Sequence, residues 1–186
     1  PCMGVDLTKL CNEDDYLSTL SKGARSRVRR SLRGLEELGS VQLVEADCIN
    51  QAFDFFQKAG FLHKKKWGSK SGFENPKFVD FHRKLVEANF PSGVVRFFVL
   101  KVGDQCVGGF YLFYYKSRAY FYLCGLEKFD DNKIRPGLVG HYLIIKQLIE
   151  DGANYYDFMA GDERYKESLG AVGDTLHWFS IQRPKI

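Results

Sequence analysis

Residues 155–166, Tyr-Tyr-Asp-Phe-Met-Ala-Gly-Asp-Glu-Arg-Tyr-Lys, gather carboxylates, a phenol and an amine within a few positions of a glycine. Side chains of these kinds can move a proton and steady the charge that develops when a group is transferred. A carboxylate such as Asp157 or Asp162 accepts a proton, directly or through a water. The Tyr165 hydroxyl delivers one to a departing thiolate or hydroxyl, and the Lys166 ammonium steadies an oxyanion or a phosphate. Each has a structural counterpart that the sequence leaves open. Asp162 is equally suited to cap a short helix, Asp157 to accept from neighbouring amides, and Lys166 to sit as a surface charge.

His63, Trp67 and His82 form a second group, candidates for binding a substrate. His82 falls between Phe78 and Val86 on one helical stripe and so points inward, either as a hydrogen-bonded core residue or as a titrating group. Trp67 follows three lysines and can stack on a sugar or a base, or simply pack. A third group is purely cationic. Lys22, Arg25, Arg27, Arg29, Arg30 and Arg33 share one side of a helix, with Arg25, Arg29 and Arg33 at i, i+4, i+8. That side is either a solvated face or a phosphate-binding stripe.

The elements that must position these residues follow from periodicity. Leu17, Leu20, Ala24, Val28, Leu32, Leu35 and Leu38 recur at helical spacing, predicting a helix over 17–38 that Gly39 ends. A strand is expected at Val41–Glu45, then a helix capped by Asp47 with Ile49, Ala52, Phe53 and Phe56 inward. Asn75-Pro76 opens another helix, which should end near 89–91. Val94–Val102, Cys106–Tyr115 and Ala119–Gly125 read as an antiparallel meander of three strands. Pro136 starts a crossover helix closed by Asp151-Gly152, and aromatic-rich Tyr155–Met159 returns as a strand before the Gly161 turn. A short helix over Glu163–Leu169 and a last strand over Thr175–Gln182 complete the order. A helix joining two strands by a crossover predicts a parallel pair in an otherwise antiparallel sheet. The fold class is therefore α/β, a mixed, mostly antiparallel sheet flanked by helices. The amino end of the Pro136 helix should open at the strand ends, where N–H groups can meet an anion.

Composition narrows the class. The chain has 186 residues, and with 45% hydrophobic and 15% aromatic content it can bury one packed core, which argues against disorder. No apolar run approaches the ~20 residues of a membrane helix. Five scattered cysteines, an odd number without a Cys-x-x-Cys pair, fit a reducing cytoplasm and speak against structural zinc. The net charge of +4 permits an anionic partner without demanding one. An opening Pro-Cys-Met-Gly, with no initiator methionine, leads to the expectation of a carboxyl-terminal part of a longer protein.

This order of elements resembles the GNAT acyltransferase fold. More specifically, His63-x-x-x-Trp67, Phe81-His82-Arg83, Pro136-Gly137 and Asp157-Phe158-x-x-Gly161-Asp162-x-x-Tyr165-Lys166 together look like the acetyltransferase-type domain of the CelD family. That family is associated with bacterial polysaccharide and cellulose biosynthesis, and the Fem peptidyltransferases are more distantly similar. The resemblance spans about residues 15–172. It implies an amino-terminal segment over 1–40 carrying the basic helix and a GNAT-like acyltransferase domain over 41–186, the second of two such halves. The implied activity is transfer of an acyl group to an amino group of a small metabolite, sugar nucleotide or polysaccharide precursor. The implied donor is acetyl-CoA or another acyl-CoA, with Arg135, Gly137, Leu138, Val139 and Gly140 as cofactor-binding residues. Here the chain departs from the family. Ordinary GNAT enzymes hold the pyrophosphate with a Gln/Arg-x-x-Gly-x-Gly/Ala loop, whereas Ile134-Arg135-Pro136-Gly137-Leu138-Val139-Gly140 does not meet that pattern.

Fem relatives transfer an aminoacyl group from tRNA and carry Phe-Lys where this chain has Tyr165-Lys166. Ser168-Leu169-Gly170-Ala171 is similar to a phrase in leucyl/phenylalanyl-tRNA transferases. An aminoacyl-tRNA-dependent transferase is thus one alternative. A noncatalytic module binding RNA or another polyanion through Arg25, Arg29, Arg33 and Lys64–Lys66 is another. For the transferase, two neighbouring strands should part to leave a wedge between the Pro136 helix and the Gly161–Lys166 turn.

Overall fold

The computed structural model describes residues 2–161, 163–175, 177 and 179–181. In chain order the elements are β1 (Cys2–Asp6), α1 (Glu13–Thr19), α2 (Lys22–Glu36), β2 (Val41–Glu45), α3 (Ile49–Trp67), α4 (Pro76–Asn89), β3 (Val95–Val102), β4 (Gln105–Tyr115), β5 (Arg118–Leu126), α5 (Pro136–Glu150), β6 (Tyr155–Ala160), α6 (Arg164–Glu167) and β7 (Val172–Asp174). Two 3-10 turns, Gly68–Lys70 and Gly72–Glu74, join α3 to α4.

Several boundaries follow local chemistry that periodicity does not show. The helix expected over 17–38 is two helices, because Leu20 is extended and the Ser21 hydroxyl accepts from the Ala24 N–H at 3.2 Å to start α2 afresh. Cys48, not Asp47, is the cap residue of α3, which continues through the basic stretch to Trp67. Asn75 caps α4 through Lys77 N–H at 3.0 Å, with Pro76 at the first helical position, as expected. Sequence reading missed β1, a strand whose Met3 and Val5 alternate inward. The strand expected over 175–182 lies partly outside the described residues, and the described strand at this end is β7.

The seven strands run in the order β2-β3-β4-β5-β6-β1-β7. Every neighbouring pair is antiparallel except β5 and β6, which α5 connects by a crossover. One face packs under α1, α2 and α5, where Val139, Ile144, Ile145 and Leu148 meet Phe98, Phe110, Leu112, Tyr156 and Phe158. The other face packs under α3 and α4, where Ala52, Phe55, Phe56 and Val86 meet Phe97, Val99 and Tyr111. Two glycines let helices seat on strands. A Cβ at Gly125 would fall on the Ala59 carbonyl of α3, and one at Gly140 of α5 would fall within the Phe110 ring of β4. Residues 2–40 share this sheet and core, since β1 pairs with β6 and β7 and α2 lies against α5. Among the described residues, no helix is long and apolar enough to cross a membrane.

Candidate functional site

The parallel pairing of β5 with β6 covers Arg118↔Tyr155, Ala119↔Tyr156 and Tyr120↔Asp157, and stops there although both strands continue. Each strand is irregular at that point. In β5 the register against β4 passes from Tyr111↔Leu123 to Leu112↔Phe121, so Tyr122 is an extra residue. In β6 the register against β1 passes from Gly4↔Asp157 to Cys2↔Ala160, so Phe158 and Met159 stand against Met3 alone. Met159 has φ +58, and its N–H donates to Asp157 Oδ1 at 2.7 Å. A bulge bends its strand and sharpens the local twist, and two bulges facing one seam turn the strands apart. Beyond Tyr120 and Asp157, backbone groups along the seam lack the partner that parallel pairing would supply.

The inner part of this wedge holds a cluster of rings. His141, from α5, has its imidazole 4.5 Å from the Phe121 ring of β5 and 5.1 Å from the Phe158 ring of β6, measured between centroids. Its Nδ1 bonds the Tyr156 hydroxyl at 2.8 Å. Burial drives its pKa down to about 3, with the Lys166 charge acting in the same direction, so the ring is neutral. Tyr165 lies across the outer side, its ring stacked on His141 at 5.7 Å and 38% exposed. Burial, then the neighbouring Cys124 and Glu163, raise the Tyr165 phenol above its ordinary value. It keeps its proton at neutral pH and can donate it. Cys124 of β5, also partly buried here, has its thiol pushed up to about 12 by burial.

Lys166 is 2% exposed, and its ammonium is fully engaged. It donates to the Ala160 carbonyl at 2.8 Å, the Gly161 carbonyl at 3.0 Å and Glu163 Oε2 at 2.8 Å. The bond to Lys166 holds Glu163 below the usual carboxylate range. Lys166 therefore fixes the turn that leaves β6, where Gly161 takes φ +101, and brings a buried positive charge beside the ring cluster. Asp157 lies elsewhere. Tyr156 and Phe158 face α5, so alternation puts Asp157 on the opposite face, where it pins the bulge and lies 3.8 Å from Arg118. Asp162 lies outside the described residues.

At the start of α5 the amides are largely committed. The Arg135 N–H donates to the Ser31 hydroxyl of α2 at 2.7 Å, Pro136 has no N–H, and the Leu138 and Val139 N–H groups both donate to the Arg135 carbonyl, at 3.0 and 3.2 Å. Gly137 keeps the one amide of this turn that none of these bonds engages, and Val139 and Gly140 are buried. A backbone cradle for a pyrophosphate does not fit this helix start.

His63, Trp67 and His82 belong to the α3 and α4 face and are not brought together with Tyr165 and Lys166. The Nδ1 and Nε2 of His82 bond the Tyr111 and Tyr122 hydroxyls at 3.4 and 3.1 Å, and burial lowers its pKa. His63 Nδ1 bonds the Ser71 hydroxyl at 2.8 Å, which braces the turns between α3 and α4. Trp67 is half exposed.

Sequence reading missed His141 and Tyr156. The available signal was position, since His141 follows Leu138 by three and precedes Ile145 by four on the buried stripe of α5. A histidine there must be inside.

The chain belongs to the acetyltransferase (GNAT) domain family, whose model matches residues 22–167. Solved structures share the fold. A conserved protein of unknown function from Bacteroides thetaiotaomicron is 12% identical at a TM-score of 0.55, with 92% of this chain and 56% of that chain covered. The C-terminal domain (DUF2156) of a protein described as a lysylphosphatidylglycerol synthetase, from Agrobacterium fabrum, is 16% identical at 0.52, covering 85% and 45%. L-PGS from Bacillus licheniformis is 14% identical at 0.51, covering 88% and 47%. The chain spans about half the length of these proteins. None of the curated proteins compared matches it.

Proposed function

We propose that this domain is an N-acyltransferase that joins an acyl group to an amino group of a small metabolite, sugar nucleotide or polysaccharide precursor. The observation that carries the reading is the parting of β5 from β6 beneath Tyr165, in a chain of the GNAT family. An activated carbonyl entering along the seam meets unpaired strand-edge groups, a protonated phenol and the buried Lys166 charge. The amine nitrogen forms a bond to the carbonyl carbon, and the oxygen takes negative charge, which Lys166 steadies through space. The carbon–sulfur or carbon–oxygen bond to the carrier then breaks, and Tyr165 gives its proton to the leaving atom. Asp162 is the carboxylate proposed to take the amine proton and return one to Tyr165. Asp157 serves this chemistry by setting the bulge. Trp67 and His82, on the α3 and α4 face with Tyr122, are proposed to hold an acceptor that reaches the α5 side between the parted strands.

A donor carried on RNA is a second reading, favoured by the committed amides at the start of α5. Incubating the protein with acyl-CoA or aminoacyl-tRNA donors and a panel of amines, with mass spectrometry of the products, tests both. Appearance of an N-acyl product supports the transferase. Absence of any such product with every donor counts against it.

A further inference from the structure

The α2 helix passes beside the mouth of the wedge. Arg27 Nη2 donates to the Ser168 hydroxyl just after α6 at 3.0 Å, Ser31 holds both backbone groups of Arg135, and a Cβ on Gly34 would be 3.0 Å from Ile134. Residues 27, 30 and 34 are spaced i, i+3, i+7, so Arg30 lies on the same flank, between a position facing α6 and one facing the approach to α5. Arg27 and Arg30 are exposed, as are Lys133, Arg135 and Arg164 around them. Among the described residues, no ion pair engages any of these five cations or the other basic residues of α2. Arg25 is occupied otherwise, donating to the Leu17 carbonyl at 3.2 Å at the end of α1, and Arg33 donates to the Arg29 carbonyl. Arg135 Nε likewise donates to the Asn132 carbonyl at 3.0 Å, and Lys22 and Arg29 have no ion pair among the described residues either, so what sets Arg27, Arg30 and Arg135 apart is their place beside α6 and the start of α5. A phosphate reaching this flank meets exposed cations that no carboxylate among the described residues neutralises.

We infer that the phosphate groups of the donor's carrier are gripped by guanidinium groups on the flank of α2, Arg27 and Arg30 with Arg135, in place of a backbone cradle at the start of α5. This rests on the transferase reading and adds the place where the carrier's phosphates are held. Guanidinium is suited to the task because it stays charged and meets phosphate oxygens two at a time. Coenzyme A and the phosphodiester chain of an RNA are the two sources of that chemistry.

Calorimetric titration of the protein with coenzyme A and, separately, with a short single-stranded RNA tests the inference without requiring turnover. At least one of the two binds, and Arg27→Glu/Arg30→Glu weakens it by at least about tenfold. Arg29→Glu/Arg33→Glu makes the same charge change on the outward face of α2, opposite its buried residues, and weakens it by no more than about threefold. Binding of RNA also weakens as salt rises, with a smaller slope in the Arg27/Arg30 variant. Equal losses in the two variants, no loss in either, or failure of both ligands to bind the wild type overturns the assignment. Transfer that persists in the wild type and is lost in Tyr165→Phe, alongside any of those results, removes the arginine grip and leaves the transferase reading standing.

Discussion

The imidazole of His141 and the phenol of Tyr165 lie nearly parallel, with ring centroids 5.7 Å apart and planes 20° apart. One ring comes from the crossover helix α5 and the other from α6 after β6, so their contact spans the seam where β5 and β6 part. Packing against a neutral, buried imidazole holds one side of the phenol in a fixed place. Its part exposure leaves the group reachable from outside.

The His141 ring makes stability depend on pH. Folded, it holds no proton above about 3, while in the unfolded chain it returns to its ordinary value of 6.5. Between these values the unfolded state carries the extra proton, so stability falls as pH drops through this window, by about 1.4 kcal/mol per pH unit. His63 and His82, also lowered by burial, act in the same direction. His141→Asn, whose amide oxygen can still accept from Tyr156, should flatten the dependence by about one proton. Urea unfolding at stepped pH checks this, and an unchanged slope in the variant would show that His141 does not titrate as described.

Lys166 closes the turn after β6 with three bonds. Lys166→Met keeps the stem and removes the ammonium, leaving the Ala160 and Gly161 carbonyls without this partner. We expect a loss of about 2–3 kcal/mol in chemical denaturation. A variant as stable as the wild type would mean that the turn does not depend on this side chain.

The seating of α3 on β5 turns on a missing Cβ. Gly125→Ala is expected to cost about 2–3 kcal/mol, because the added carbon falls on the Ala59 carbonyl and the helix must shift. Gly173→Ala, in β7, meets nothing within 4 Å and should change stability by less than about 0.5 kcal/mol. Thermal melts of the two variants side by side decide it.

The central meander, the crossover helix and the parallel return strand were legible because each combines a clear period with a turn or cap residue, such as Gly103-Asp104 before β4 or Pro136 at the start of α5. The break between α1 and α2 was hidden because Leu17, Leu20 and Ala24 keep a helical spacing across Ser21. β1 escaped notice because five residues give little room for a period, and its partners β6 and β7 lie at the far end of the chain. The site was legible in part. Tyr165 and Lys166 stand out as polar groups after a strand, but which face Asp157 takes depends on strand alternation, and the bulge beside it is set by pairing with residues over 150 positions away. His141 was hidden by its helix, where an apolar stripe draws attention away from the one polar residue on it. That the amides of α5 are spent depends on Ser31, a contact no local reading reveals.

The central claim is that transfer occurs on the α5 side of the parted strands, with Tyr165 in contact with the reacting group and Asp157 behind the sheet. Single-turnover transfer followed by mass spectrometry, comparing Tyr165→Phe with Asp157→Asn, tests it most directly. The account predicts that Tyr165→Phe slows transfer by about 100-fold with its fold intact, while Asp157→Asn stays within about tenfold of the wild type. Full activity in Tyr165→Phe together with collapse in a folded Asp157→Asn would put the chemistry on the other face and contradict it.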